Sequence, residues 1–393
     1  MIQILKKPST DEKAGILGKL ACFDVTGYPR LFSPRKRAFR FHFIHPAVGE
    51  RGQCVNLFKV LQTNFCEHNC FYCVNRKDRD CPRREFSPEE LSALFLHYYR
   101  KGLVRGLFLS SAVYPNADRA QERMLRTIQL LRHKYGYRGY IHCKILPGSD
   151  EAFIEKAGRW VDRLSINLEA PDERYLSQLS PDKAFRSQLL ERLQKIALFN
   201  KLHPLKAGVT TQLVVGGSQE NDKEILLLSQ DLYRDYDLRR VYYSGFVPMR
   251  DTPLEGNPPC PPLREARLYQ ADFLLRKYGF KAEELIFNVR GNLPLDKDPK
   301  LVWALSNPDR FPVEINRASL EELIRVPGIG RISAGRIIEQ RRQTRLRDLE
   351  DLRRSGAVVK RARGFITIGG RYFPPEKRHD TGINRQLFLW EEI

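Results

Sequence analysis

The chain has 393 residues, 42% of them hydrophobic and 29% charged, which exceeds one ordinary domain and suits two folded ones rather than a disordered or fibrous chain. No apolar run approaches the roughly 20 residues that span a bilayer, and the start MIQILKKPSTDEK lacks the apolar core of a signal peptide, so no membrane partner and a cytoplasmic location are expected. The net charge of +20 describes a surface that attracts polyanions and makes nucleic acid the leading partner, with a merely basic surface as the bland alternative.

Residues 1–50 form an N-terminal extension with the stretch YPRLFSPRKRAFRFHF, where Arg30, Arg35, Lys36, Arg37 and Arg40 alternate with Phe32, Phe39, Phe41 and Phe43. Such a stretch grips phosphates and stacks on bases, or else forms a half-buried strand with solvated arginines. Over residues 51–250, apolar runs rich in β-branched residues (VNLFKVLQT, GLFLSSAVY, YIHCKIL, DRLSINLEA, TTQLVVGG, RRVYYSGFV) read as strands. Between them SPEELSALFLHYYRKG, RAQERMLRTIQLLRHKYG, SDEAFIEKAG and DKEILLLSQDLYRDY read as helices. This alternation predicts an α/β fold with a parallel sheet, open or closed as a barrel, whose chemistry lies at the carboxyl ends of the strands. Residues 251–310 start with DTPLEGNPPCPPL and read as a connector packed on the barrel; 311–372 read as short helices rich in arginine, and 373–393 as a tail.

Directly after the first of these strands, Cys66-Glu-His-Asn-Cys70-Phe-Tyr-Cys73 places three cysteines in eight residues. In a reducing compartment cysteines crowded this closely are metal ligands rather than disulfide partners. Three thiolates on a four-iron cubane leave one iron open to a small molecule, whereas electron-transfer clusters are closed by a fourth cysteine. Two alternatives stand beside this one: Cys81 completes a closed site for zinc or an electron-transfer cluster, or the three thiols carry no metal.

With an aromatic residue, Tyr72, before its last cysteine, the CxxxCxxC motif resembles that of the radical S-adenosylmethionine (radical SAM) superfamily. The resemblance implies a partial (β/α)6 barrel with a [4Fe–4S] cluster on Cys66, Cys70 and Cys73, and S-adenosylmethionine (SAM) as second cofactor. It places Ser110, Ser111 and Ala112, ending the second strand, where backbone meets the SAM amino group. Asn167 and Glu169 on the fourth strand fall where the ribose or carboxylate is held. Val215, Gly217 and Glu220 match a GxIxGxxE pattern in which Leu213 replaces the first glycine, and Phe246 and Val247 end the sixth strand where apolar residues pack on adenine. The implied activity is reductive cleavage of SAM to a 5′-deoxyadenosyl radical that abstracts hydrogen from a substrate, with electrons from a donor such as flavodoxin or ferredoxin. Of the remaining cysteines, Cys143 is the candidate hydrogen-atom donor, because alternate residues of a barrel strand face the interior.

The C-terminal stretch VEINRASLEELIRVPGIGRISAGRIIEQRR reads as helix, tight turn, helix, with Asn316 or Ser319 capping the first helix and Pro327-Gly328-Ile329-Gly330 as the turn. Main-chain N–H groups opening the second helix suit a phosphate. The motif resembles the helix-hairpin-helix of DNA repair proteins, within an all-α domain, and a degenerate second hairpin follows around Gly356-Ala357-Val358. Gly328, Gly330, Arg331, Ser333, Arg336, Arg341 and Arg342 are the expected DNA contacts, in a stretch from Arg331 to Arg371 with twelve basic and four acidic residues. The order of barrel, connector and hairpin resembles radical SAM proteins assigned to DNA modification or repair, which implies double-stranded DNA as partner. A radical SAM enzyme acting on RNA, and a non-catalytic DNA-binding protein with a structural or redox-sensing cluster, are the competing readings.

Overall fold

The computed structural model describes residues 8–24, 41–48 and 54–375. Most of the basic and aromatic extension, Arg30 to Arg40, therefore lies outside the described residues, as does most of the tail. The described chain divides into two compact units: residues 1–220 with 231–265, and 221–230 with 266–393. Most of the segment expected as a connector on the barrel is thus assigned to the second unit.

The first unit is built on one seven-stranded sheet in sequence order: β1 (Ile44–Val48), β2 (Cys54–Leu61), β3 (Gly106–Ser110), β4 (Tyr140–Lys144), β5 (Arg163–Ser165), β6 (Val209–Val215) and β7 (Arg240–Gly245). β1 runs antiparallel to β2, and all later neighbours are parallel. The sheet curls into a half-barrel, so the expected six parallel strands are present and an antiparallel edge strand is added to them. All seven residues of β6 are buried, which is why this strand reads as a nearly unbroken apolar run rather than an alternating one.

Helices α1 (Thr10–Leu20), α2 (Pro88–Arg100), α3 (Ala117–Gln129), α4 (Ala152–Gly158), α5 (Glu173–Leu176) and α6 (Glu191–Leu202) precede β6, and α7 (Asp222–Tyr236) links it to β7. α2 starts where the sequence dictates: Ser87 and Glu90 form a reciprocal capping box, Pro88 opens the first turn, and Glu89 and Glu90 meet the positive end of the dipole. The same box, Ser9 with Glu12, starts α1. No helix among the described residues is long and apolar enough to cross a membrane.

α8 (Pro262–Tyr278) leads into the second unit, followed by α9 (Pro299–Leu305), α10 (Leu320–Arg325), α11 (Arg331–Gln343), α12 (Leu349–Arg354) and α13 (Val359–Ala362). A small sheet, β8 (Val313–Glu314), β9 (Ile366–Ile368) and β10 (Arg371–Tyr372), joins the two ends of this helical run, an addition to the expected all-α domain. Its strands are two or three residues long, too short for alternation to show in the sequence.

Candidate active site in the half-barrel and candidate nucleic-acid interface

The loop after β2 is shaped by main-chain bonds rather than by its cysteines. Gln62 N–H donates to Ser110 O (2.8 Å), Ala112 N–H to Thr63 O (3.0 Å) and Glu67 N–H to Val113 O (2.8 Å), so the end of β3 and the cysteine loop form one wall. Phe71 N–H donates to Leu179 O at 2.7 Å, which pins the turn between Cys70 and Cys73. Beyond it, the Arg83 guanidinium donates to the carbonyls of Asn64 (2.6 Å), Asn75 (2.8 Å), Arg76 (2.6 Å), Lys77 (3.4 Å) and Arg79 (2.9 Å). One side chain thereby closes the polypeptide that carries the cysteines.

Cys66, Cys70 and Cys73 line a single cavity at the carboxyl ends of the strands. Cys70 Sγ and Ser180 Oγ share a 3.1 Å hydrogen bond, and Asn75 N–H donates to Cys73 Sγ at 3.4 Å. Burial, reinforced by the neighbouring Cys70, pushes the Cys73 thiol up to about 12, and burial raises Cys66 as well. Three thiols beside one another, one buried and two half-buried, resist ionising together unless positive charge sits among them. Among the described residues no three His, Cys, Asp or Glu side chains close on one point as a single-ion site requires. A cubane binds each thiolate through a different iron and so accepts the wider spacing. Cys81 points its Sγ at Val74 O (3.7 Å) and does not line the cavity. The donor set fits a three-cysteine cluster better than zinc.

The cavity also carries charge. Glu169 and Lys183 meet at 3.0 Å with both side chains 7% exposed, and Glu169 also accepts from Tyr72 and, at 3.5 Å, from Asn167 Nδ2. Burial alone would depress the Lys183 ammonium, but Cys70 and Glu169 more than offset it and hold Lys183 well above the usual lysine range. Glu169 has a φ of 65°, a left-handed backbone that a non-glycine residue adopts at a strained, over-determined position. Here Glu169 N–H donates to Gln212 O and Glu169 O accepts from Val214 N–H, which locks it onto β6.

Ser110, Ser111, Ala112, Tyr72, Asn167, Glu169, Phe246 and Val247 line the cavity with the cysteines. Four other sequence candidates stand elsewhere. On β6 it is Val214, not Val215, that lines the cavity. Gly217 packs behind it, where an added Cβ would meet Leu179 at 2.9 Å. Glu220 accepts from Gly216 N–H (2.5 Å) and Ser218 Oγ (2.6 Å), and so shapes the turn after β6. Cys143 is buried on the outer face of β4, where its thiol accepts from Gln121 of α3 at 3.8 Å; this corrects the assignment of a hydrogen donor there. The barrel-facing residues of β4 are those on either side of it, His142 and Lys144: His142 bonds Ser165 of β5 at 2.8 Å, and Lys144 lines the cavity. Lys183 and Asp24, for which the sequence analysis set no expectation, line the cavity as well.

In the second unit, Ser319 and Glu322 form the capping box of α10, and Gly328 takes the turn with a φ of 83°. A Cβ on Gly328 would lie 2.5 Å from Val358 O, and Gly328 O accepts from Val358 N–H at 2.8 Å, so the second hairpin, α12–α13, packs its tip on the first. Lys300 Nζ, buried, donates to Ile329 O at 2.6 Å and braces the same turn. Of the expected DNA contacts, Arg331, Arg336 and Arg342 are exposed on α11 and Gly330 is half-buried. Gly328 and Ser333 are buried, and Arg341 donates to Ile315 O at 2.8 Å; these three hold the hairpins together instead.

The fold and the cysteine-lined cavity define a radical SAM half-barrel. Residues 60–232 match the family model described as the radical SAM superfamily, and residues 310–365 match that of the helix-hairpin-helix motif. The chain therefore carries a radical SAM domain and a helix-hairpin-helix motif, and members of the radical SAM superfamily bind a [4Fe–4S] cluster and SAM. No curated protein matches it. Solved structures similar to it include HydG, a maturase of the [FeFe]-hydrogenase, at 12% identity and a TM-score of 0.45, covering 55% of this chain and 48% of that one. Methylornithine synthase (PylB) matches at 19% identity and a TM-score of 0.44, over 54% and 60% of the two chains. The radical SAM methyltransferase TsrM from Kitasatospora setae, with cobalamin and [4Fe–4S] cluster bound, matches at 13% and 0.39, over 53% and 48%. The chain spans about half to three-fifths of the length of these structures.

Proposed function

We infer that this enzyme performs radical chemistry on a nucleic acid, with double-stranded DNA the substrate and modification or repair of a base the outcome. The observation that carries the reading is the presence, in one chain, of a three-cysteine cavity with no fourth cysteine lining it and a helical hairpin unit whose exposed face presents Arg331, Arg336 and Arg342. Guanidinium groups of this kind bind the phosphate backbone without reading sequence, which suits an enzyme whose target is a base rather than a site.

Cys66, Cys70 and Cys73 would hold the cluster, and Asn167 and Glu169, with the main chain of Ser110 to Ala112, would hold SAM. Bound together and reduced, the two cofactors supply a carbon-centred radical able to take hydrogen from a substrate. The chain's own residues orient and enclose. Lys183 neutralises Glu169 inside the cavity and fixes its carboxylate, Tyr72 donates to that carboxylate, and Phe246 with Val247 supplies an apolar wall that excludes water. A base in duplex DNA reaches such a cavity only when turned out of the stack.

The test is an anaerobic reaction of cluster-reconstituted protein with SAM, dithionite and duplex DNA at low salt. The expected result is 5′-deoxyadenosine together with an altered nucleoside in the mass spectrum of the digested DNA, both lost on Cys70→Ala. If SAM is cleaved while DNA is neither bound nor changed, the reading fails; if structured RNA displaces duplex DNA, the substrate is RNA.

A further inference from the structure

Inside the half-barrel, next to the cysteines, four hydrogen-bond donors from four different strands converge on oxygens that the sheet does not supply. Lys59 of β2 donates to Asp24 O, Lys144 of β4 and the Ser110 hydroxyl of β3 to the Asp24 carboxylate, and Gln212 Nε2 of β6 to Phe23 O at 3.0 Å. All the acceptors belong to one short segment, Ala21–Asp24, that follows α1 and crosses from the β2 side of the sheet to β6. Asp24, Ser110, Lys144 and Gln212 line the same cavity as Cys66, Cys70 and Cys73.

Lys144 therefore pairs with the Asp24 carboxylate in a water-poor interior, and Lys59, bonded to the main-chain carbonyl of the same residue, adds a second positive charge nearby. Lys59 is 2% exposed and lies over the Phe108 ring, 5.4 Å from its centroid, so it has little solvent to compensate it. Asp24 is, among the described residues, the carboxylate that pairs with Lys144; Glu169, the other carboxylate of the cavity, is engaged by Lys183. Burial alone would raise the Asp24 carboxyl, yet Lys144 and Lys59 hold it below the usual range, the signature of a site that prefers an anion. Donors fixed on strands and satisfied by a strand-foreign segment form a preorganised pocket for an oxyanion, and the segment fills it from the chain itself.

We propose that Lys59, Lys144, Ser110 and Gln212 form a substrate subsite for a phosphate or carboxylate group, and that Asp24, carried by the Ala21–Asp24 segment, occupies this subsite until the substrate's anion displaces it. The subsite belongs to the catalytic unit and does not rest on the assignment of DNA as substrate. Its occupation by Asp24 also makes the segment a competitive guard over the cavity.

The test is equilibrium dialysis of cluster-bearing, full-length protein against radiolabelled inorganic phosphate and, separately, acetate, at a fixed ionic strength of about 0.15 M so that surface charge is screened equally. Asp24→Asn keeps the size of the side chain and removes its charge, and is expected to bind one of the two anions about tenfold more tightly than the wild type. The anion that gains assigns the group as phosphate or carboxylate. Adding Lys144→Gln to Asp24→Asn is expected to abolish the gain. Phe23→Ala, which loosens the segment and leaves all four donors in place, is expected to tighten the same anion, and decides the matter should Asp24→Asn fail to fold. Unchanged affinity for both anions in folded Asp24→Asn or Phe23→Ala protein overturns the proposal, whatever is found for DNA.

Discussion

Replacing Lys183 by Met leaves the Glu169 carboxylate buried without its cation, 7% exposed beside the Tyr72 phenol and the Asn167 amide. Removing one partner of a buried pair costs about 3–5 kcal/mol, because the survivor keeps its desolvation and loses its compensation. Glu169 retains bonds from Tyr72 and Asn167, and the cavity admits water, so the lower figure, about 3 kcal/mol, is the appropriate one. For a unit of this size, each kcal/mol moves the melting temperature by roughly 2–4 °C, which places the loss at roughly 6–12 °C in calorimetry of the cluster-free protein. Glu169→Gln in the Lys183→Met background removes the orphaned charge and is expected to recover at least half of the loss. A double-mutant coupling below about 1 kcal/mol would show that the pair behaves as an exposed one and would refute the electrostatic reading of this cavity.

Burial lowers Lys59 to about 8, with Asp24 opposing the shift only in part. Between that value and the unfolded value near 10.5 the unfolded state binds more protons, so stability rises with pH across this window; Lys59→Met, compared with wild type by urea unfolding at pH 7.5 and 10.5, is expected to lose roughly 3 kcal/mol of that rise. Arg83→Met frees five carbonyls of the cysteine loop, and the iron content of anaerobically reconstituted protein is expected to fall at least severalfold while the α/β circular dichroism is retained. In DNA-binding titrations, Arg336→Gln and Arg342→Gln are each expected to reduce the slope of log K against log salt by about 1. Arg341→Gln, whose guanidinium is spent on Ile315 O, is expected to leave that slope unchanged and to lower the stability of the hairpin unit instead.

How much of this was legible in the sequence follows from what each feature depends on. Cys66, Cys70 and Cys73 were legible because a loop of eight residues brings its own ligands together whatever the rest of the chain does. The six parallel strands were legible from their β-branched runs, while β5 shrank to Arg163–Ser165 and β1 was missed as a separate strand, since its pairing with β2 comes from tertiary contact. Helix α6 was missed although Leu193, Ile196 and Ala197 recur at helical spacing and are all buried.

Parity decided the remaining cases, and it could have been applied further. Residues Tyr140, His142 and Lys144 share one face of β4, so a strand placing Lys144 in the cavity must turn Cys143 away from it. On α11, Ser333, Ile337 and Arg341 recur every four residues, the first two buried and the third half-buried, while Arg331, Arg336 and Arg342 are exposed. Lys183, Asp24 and the left-handed turn at Glu169 had no such local signal. Their partners lie 14 residues away for Lys183 and 120 for the Asp24–Lys144 pair, and only the curled sheet brings them into one cavity. The polypeptide that reads as motif therefore carries the three thiols, and the polypeptide that reads as filler supplies the charge in the cavity beside them.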